Sequence, residues 1–245
     1  MILTLVLSLF IGISLGLLGG GGSILTVPIL TYVAGLPPRE AIAASLFIVG
    51  TTSAVSAISH ARNNRVRWKT GLMFGSASMV GAFGGGLVGG YIPETLLMVA
   101  FALMMIATSA AMLRGRNTKA EPSTSSFSRV LIDGLLVGAV TGLVGAGGGF
   151  LVVPALTLLG GLAMPVAVGT SLVVITMKSF AGLAGYLTSV QLDWGLVLMV
   201  TAVAIVGSLI GSRLASRVPE KALRKGFGVF VLIMGVFVLT QELLG

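Results

Sequence analysis

Residues 12–36, GISLGLLGGGGSILTVPILTYVAGL, recur 126 positions later as residues 138–162, GAVTGLVGAGGGFLVVPALTLLGGL. The register then holds without a gap. Ala41, Ser45 and Leu46 fall on Ala167, Ser171 and Leu172, Ser53 on Ser179 and Trp68 on Trp194. Gly81 and Gly85 fall on Gly207 and Gly211, and Pro93-Glu94 on Pro219-Glu220. Two unrelated greasy segments would not keep tryptophan and Pro-Glu in step. The chain is therefore one unit written twice.

Charge at equivalent loops sets the relative orientation of the two copies. Residues 60–69 (HARNNRVRWK) carry Arg62, Arg65, Arg67 and Lys69, whereas their counterpart 186–195 (YLTSVQLDWG) carries no basic residue and Asp193. In the next pair, 86–97 (GLVGGYIPETLL) has no basic residue, and 212–223 (SRLASRVPEKAL) has Arg213, Arg217 and Lys221. Short cytoplasmic loops concentrate Lys and Arg, so this alternation predicts two copies of opposite orientation. Inverted repeats of this kind are a construction of many secondary transporters. The expected fold class is an all-α polytopic membrane protein with two inverted-topology repeats. Each repeat would be a Gly-broken hairpin or discontinuous helix pair plus three transmembrane helices, giving 8–10 membrane segments in total.

Composition agrees. Only 9% of the 245 residues are charged, 56% are hydrophobic, and mean hydropathy is +1.08. A soluble domain carries about 25% charged residues, so too few charges remain to cover a soluble surface. The same apolar excess excludes disorder. Long apolar runs exclude a transmembrane barrel, whose strands alternate. The net charge of +8 sits in short loops between apolar runs, which reads as topology signalling and not as nucleic-acid binding. With no cysteine there is no disulfide, thiolate metal site or cysteine nucleophile. The apolar N-terminus lacks the basic n-region of a signal peptide and reads as the start of the first membrane segment.

The map that follows has a first membrane repeat at 1–113, a polar cytoplasmic linker at 114–129 and a second, inverted repeat at 130–245. Spans of about 20 residues are expected near 40–60, 70–90 and 95–113, and again near 165–187, 195–212 and 226–243. Each half opens with a Gly-interrupted pair, 3–18 plus 23–35 and 131–145 plus 149–161, too short and broken for ordinary spans. Gly134, Gly138 and Gly142, Gly81, Gly85 and Gly89, and Gly207 and Gly211 follow the small-xxx-small spacing that lets helix backbones meet.

Irregular backbone survives at membrane depth only where it is buried in protein or lines a wet cavity. The clusters Gly19-Gly20-Gly21-Gly22-Ser23 and Gly145-Ala146-Gly147-Gly148-Gly149 therefore offer candidate anion contacts through backbone N–H groups, at Gly20, Gly21, Gly22 and Ser23 and at Gly147, Gly148 and Gly149. The plain alternative is tight helix packing, which spaced glycines serve better than four in a row. No Gly-Lys-Ser/Thr follows, so a P-loop is a poor alternative, and no Gly-x-Ser-x-Gly elbow is present.

Lys178 is the one charge well inside an apolar run. A lysine at helix centre costs about 2.5–3.5 kcal/mol on insertion scales, so it should face a cavity or a partner. Its counterpart is Thr52. Ser45, Ser53, Thr170, Ser171 and Ser179 fall on matching helices. Each alone can be satisfied by a carbonyl one turn back; as a symmetric set beside the glycine breaks they are candidate substrate contacts. His60 ends its helix at the basic loop, an interface position that also admits a proton or gating role. Trp68 and Trp194 read as interface anchors. No carboxylate falls mid-membrane, which argues against a cation substrate.

These residues resemble a known family. The paired signatures GLLGGGGSILTVPIL and GLVGAGGGFLVVPAL, each followed by an A-x-x-x-S-L or G-T-S-L stretch, a tryptophan and a Gly-rich span ending in Pro-Glu, are similar to the TauE/SafE sulfite and organosulfonate exporters over about residues 5–240. The resemblance implies a multi-pass transporter of the bacterial or archaeal cytoplasmic (inner) membrane, carrying anions such as sulfite, sulfoacetate or related C2 sulfonates. Ser23 stands where the first motif would end in glycine, and Ala43-Ala44 stand where the second half has Gly169-Thr170.

The combined reading is a secondary anion transporter, working in export, that binds its substrate at midplane between the glycine breaks, Lys178 and the hydroxyls. The rivals are an importer of thiosulfate or another oxyanion, and an intramembrane enzyme, which lacks a nucleophile–base pair. No cofactor and no metal are expected. The expected partners are the small anion and the lipid bilayer, with no nucleic acid and with a homodimer as an assembly open to test.

Overall fold

The computed structural model describes residues 2–114, 127–144, 149–159, 161–215 and 218–244. Among them every regular element is helical. Helix α1 (Ile2–Leu18) leads through a 3-10 segment (Gly19–Leu25), the single turn α2 (Thr26–Pro28) and a π-helical turn (Ile29–Val33) into α3 (Pro38–Arg62), α4 (Trp68–Gly89) and α5 (Glu94–Arg114). The second half has α6 (Phe127–Val144), α7 (Gly149–Pro154) with a π-helical turn (Ala155–Leu159), then α8 (Met164–Tyr186), α9 (Trp194–Leu214) and α10 (Glu220–Leu244). The starts of α3, α4 and α5 and both ends of the first π-helical turn recur 126 residues on, so the repeat read in the letters is also a repeat of elements.

Local chemistry explains several boundaries. Pro38 opens α3 and Pro165 sits in the first turn of α8, where a missing N–H leaves no bond unmade. Asp193 caps α9, its carboxylate accepting from the Gly195 and Leu196 amides. Helix α3 closes on Asn64 in the left-handed region (φ 55°), with the Arg65 amide reaching back to the His60 carbonyl. The last helix begins at Glu220, earlier than the span expected at 226–243. Residues 127–129 of the expected linker already belong to α6, and most of the rest of that linker lies outside the described residues.

Among the described residues four helices are long and apolar enough to cross a membrane, α3, α4, α8 and α9, while shorter apolar stretches cover 94–110 in α5 and 228–243 in α10. Small hydroxyl side chains are buried beside the apolar core while large apolar ones cover the perimeter. Ser8, Ser45, Ser53, Thr170 and Ser208 are fully buried, whereas Leu3, Val80 and Ile233 are at least 60% exposed on the perimeter. An apolar solvent favours that arrangement.

Spaced glycines set the packing. A side chain at Gly12 would fall on the Ala204 carbonyl, and one at Gly16 on the Ser208 carbonyl, so α1 lies against α9 backbone to backbone. In the other half Gly138 meets Ser78 and Gly142 meets Ala82, which joins α6 to α4 in the same way. Ala204 and Ser78 are themselves 126 apart, as are Ser208 and Ala82. Each half thus lends its first helix to the other half's fourth, a reciprocal exchange that a two-fold operator produces. Gly81 and Gly85 of α4, facing α6, and Gly207 and Gly211 of α9, facing α1, complete both seams.

Equivalent helices of the two halves also pair with each other. On α3 and α8, Gly50 faces Ser179 while Gly182 faces Leu46, so these two cross antiparallel. On α5 and α10, Gly228 faces Leu113 and Gly235 faces Ile106, and the Ser109 hydroxyl donates to the Gly228 carbonyl at 2.6 Å. They too run antiparallel.

The first Gly-interrupted segment is a hairpin. Its break is narrower than four consecutive glycines suggest: of the four, only Gly19 (φ +62°) has a left-handed backbone, and the next six residues wind as a 3-10 helix. The returning arm ends near the C-terminus of α10, where the Tyr32 hydroxyl donates to Glu242 at 3.0 Å and its ring meets Phe237 edge-on. Arg39 lies at the same end, donating to the Ile92 carbonyl at 2.9 Å and standing 4.0 Å from Glu94. At the other end Arg62 and Arg213 share the wall of one cavity between α3 and α9.

Candidate functional site

The antiparallel crossing of α3 and α8 places Lys178 at its centre, 1% exposed. Its ammonium donates to the Thr141 hydroxyl of α6 at 3.1 Å, and Thr141 lies 3.1 Å from the Gly138 carbonyl, to which it donates in turn. That hydroxyl is the one hydrogen-bond partner Lys178 has among the described residues, and no carboxylate joins it. The equivalent Thr52 donates to the Ile48 carbonyl of its own helix. Around the crossing, Ser53 and Ser56 on α3 and Ser179 on α8 are buried with no partner for their hydroxyls. A buried hydroxyl left unpaired costs roughly 1–3 kcal/mol. One ammonium and three hydroxyls with unused capacity therefore sit in the middle of the bundle.

The other candidate residues divide. Gly20, Gly21 and Gly22 form the body of the 3-10 segment, and Ser23 donates to the Gly20 carbonyl at 2.6 Å. Gly19 comes against Val168 and Ser171 of α8; a side chain there would stand 2.9 Å from the Ser171 hydroxyl oxygen. Ser171 is seven residues before Lys178, two turns along the same face, so the glycine break and the lysine line one side of α8. Ser171 and Ser45 donate to carbonyls three residues back, Val168 and Ile42. Gly149 begins α7, which packs against the 3-10 segment; Gly147 and Gly148 lie outside the described residues.

Thr170 and His60 sit nearer the basic end. The Thr170 hydroxyl accepts from the Arg67 amide at 2.9 Å, tying the 63–67 turn to α8. His60 is 3% exposed, its Nε2 3.3 Å from the Gly16 carbonyl and its Nδ1 without a partner. It is therefore enclosed by protein, beside the last turn of α1 before the Gly19 break. Trp68 and Trp194 are 54% and 44% exposed at opposite ends, as interface anchors are.

Sequence reasoning missed Thr141 and Ser56. A signal for Thr141 was present: its counterpart in the first half is Leu15, just as the counterpart of Lys178 is Thr52. Both departures from the repeat fall in the second half, and the two residues touch.

A family model described as Sulfite exporter TauE/SafE matches residues 4–238. A probable membrane transporter protein of Xylella fastidiosa strain 9a5c is 33% identical over 242 residues, covering 95% of this chain and 92% of that protein. The probable membrane transporter protein YdhB of Bacillus subtilis is 27% identical, covering 98% of this chain and 100% of its own. A probable membrane transporter protein of Methanocaldococcus jannaschii is 29% identical, with 97% and 94% covered. No solved structure matches the chain.

Proposed function

The chain belongs to the sulfite exporter TauE/SafE family, a multi-pass membrane transporter, and from that premise we propose that it exports small sulfur-containing anions, namely sulfite, sulfoacetate or related C2 sulfonates. The proposed location is the cytoplasmic membrane of a bacterium or archaeon. The proposed topology has the two halves inverted across it. The antiparallel crossings of α3 with α8 and of α5 with α10 support that topology, because an axis in the membrane plane reverses helix direction.

Lys178 carries the reading. A fully buried lysine amine held by a single neutral hydroxyl has no countercharge beside it, and an anion that comes and goes is its natural complement. In the proposed cycle the substrate oxygens take bonds from Lys178 Nζ and from the Ser53 and Ser179 hydroxyls, all three of which have donors to give. The Gly19 break lets the hairpin backbone approach α8 closely enough to close the site on one side. A monoanion leaving the cell gains about 2.3 kcal/mol per 100 mV of inside-negative potential, so the potential alone can drive export.

Proteoliposomes holding the purified chain and labelled sulfite, sulfoacetate or taurine test this. Potential-dependent flux of at least one anion above empty liposomes is the expected result. Flux of none of them, with the protein shown to be folded and inserted, would overturn the reading.

A further inference from the structure

Two cavities flank the last turns of α3 at the basic end, and both have Ile58 and Arg62 in their walls. The larger, about 410 Å³, runs between α3, α4 and α8 and is walled mainly by Ala54, Ala57, Leu72, Val173 and Met177, with Trp68 at its rim. The smaller, about 380 Å³, lies between α3 and α9 and brings Arg62 and Arg213 together with Ser59 and Asn63. Among the described residues that wall the two cavities there is no carboxylate. We propose that this pair of cavities is a binding site for one anionic phospholipid, its phosphate on Arg62 and Arg213 and an acyl chain in the apolar groove beside them.

Position separates this site from the substrate path. Ile58 is 55% exposed, Trp68 54% and Leu209 40%, so the walls open on the apolar perimeter and not on the interior where Lys178 lies. A small hydrophilic anion gains nothing from an apolar groove, whereas a lipid needs it. Guanidinium groups bind phosphate oxygens in bidentate fashion, and basic pockets between helices on the cytoplasmic side suit anionic headgroups. A zwitterionic headgroup brings its own ammonium to two arginines and is disfavoured. A tryptophan at the mouth sits where the headgroup layer meets the hydrocarbon. The inference stands apart from the export reading and does not rest on it.

The test is native mass spectrometry of the full chain in detergent, offered equal amounts of phosphatidylglycerol and phosphatidylcholine with the same acyl chains. The wild type should retain phosphatidylglycerol preferentially. Arg62→Gln and Arg213→Gln should each lower that preference on the order of five-fold. Lys69→Gln, the same charge change at the same end but off both cavities, should leave it unchanged. Leu72→Trp, which fills the groove from its half-exposed wall, should weaken retention with both arginines intact. Equal retention of the two lipids, or a preference that survives both glutamine variants, overturns the proposal. So does displacement by excess inorganic phosphate combined with indifference to Leu72→Trp, which would mark a plain anion site with no place for a chain.

Discussion

Lys178 and Thr141 form a hydrogen-bonded couple, 3.1 Å apart, at positions where the first half of the repeat has Thr52 and Leu15. Two separate helices have departed from the symmetric pattern together, and the departures meet. Concerted asymmetry of that kind places one positive charge where an exact repeat would place either two or none. A symmetric pair of lysines beside one axis would repel one another; a single lysine serves one anion.

Replacing either member distinguishes the charge from its support. Lys178→Met keeps the volume and removes the ammonium, so the empty protein should stay folded while anion affinity falls by about 1.5–3 kcal/mol. Thr141→Val should instead destabilise the empty protein by about 1–3 kcal/mol, since the ammonium then lacks its acceptor. The double variant should be more stable than Thr141→Val alone, because no buried charge remains to be satisfied. Thermal unfolding in detergent, with and without sulfite, reads all three. Equal affinity in wild type and Lys178→Met would remove Lys178 from the substrate site.

Much of the fold was legible in the letters. Pro38, Trp68 and Glu94 mark helix starts, and their counterparts at 126 positions mark the same starts again. Spacing told that Gly81 and Gly85 face a backbone but not whose, because small-xxx-small describes a surface without its partner. The partner was hidden in the repeat: if α6 seats on α4, symmetry seats α1 on α9, and Gly12 and Gly16 become packing residues. The site was less legible. Ser45, Thr52 and Ser171 answer to their own helix carbonyls, as local geometry allows for any such hydroxyl, whereas Ser53 and Ser179 do not. Nothing in the spacing separates the two groups, because the difference depends on which carbonyl each rotamer reaches. Thr141 and Lys178 meet only through tertiary packing.

Reciprocal packing predicts reciprocal cost. Gly12→Ala and Gly138→Ala each push a methyl onto a carbonyl of the facing helix, Ala204 and Ser78 respectively. Each should destabilise by roughly 1–3 kcal/mol, and the two values should agree closely. Gly84→Ala, which meets open space on the same helix as Gly81, should be nearly neutral. Unfolding in mixed detergent gives the comparison, and a large gap between Gly12→Ala and Gly138→Ala would break the equivalence of the seams.

Two glycines with left-handed backbone separate strain from crowding. Gly35 (φ +75°) has nothing near a built side chain, so Gly35→Ala should cost only the conformational penalty of about 1–2 kcal/mol. Gly19 (φ +62°) carries the same penalty, and its methyl would also crowd Val168 and Ser171. Gly19→Ala should therefore be the more damaging for stability, and it should depress transport beyond that, since it holds the hairpin away from the lysine face of α8. Equal stability and equal flux in the two variants would show that the close approach at Gly19 has no function.

Topology provides the last prediction, and the chain's lack of cysteine makes it direct. The α3–α8 crossing is antiparallel, α3 ends at Arg62, and Arg213 in the last turn of α9 stands in the wall of the same cavity. The basic clusters of the two halves therefore share one end of the bundle. Pro93 follows α4 at the opposite end, beside Arg39 of α3, and Asp193 caps the start of α9 at that same opposite end. Concentrated Lys and Arg mark the cytoplasmic side. Single cysteines at Asn64 and Arg213 should react with an impermeant maleimide only after the cells are opened. Cysteines at Pro93 and at Gln191, in the loop just before Asp193, should react in intact cells. The contrast within equivalent loops is the decisive one: Asn64 and Val190 stand 126 apart, and an inverted pair puts them on opposite sides. A cysteine at Val190 labelled from the same side as one at Asn64 would require an axis along the membrane normal, and the inverted arrangement would fall with it.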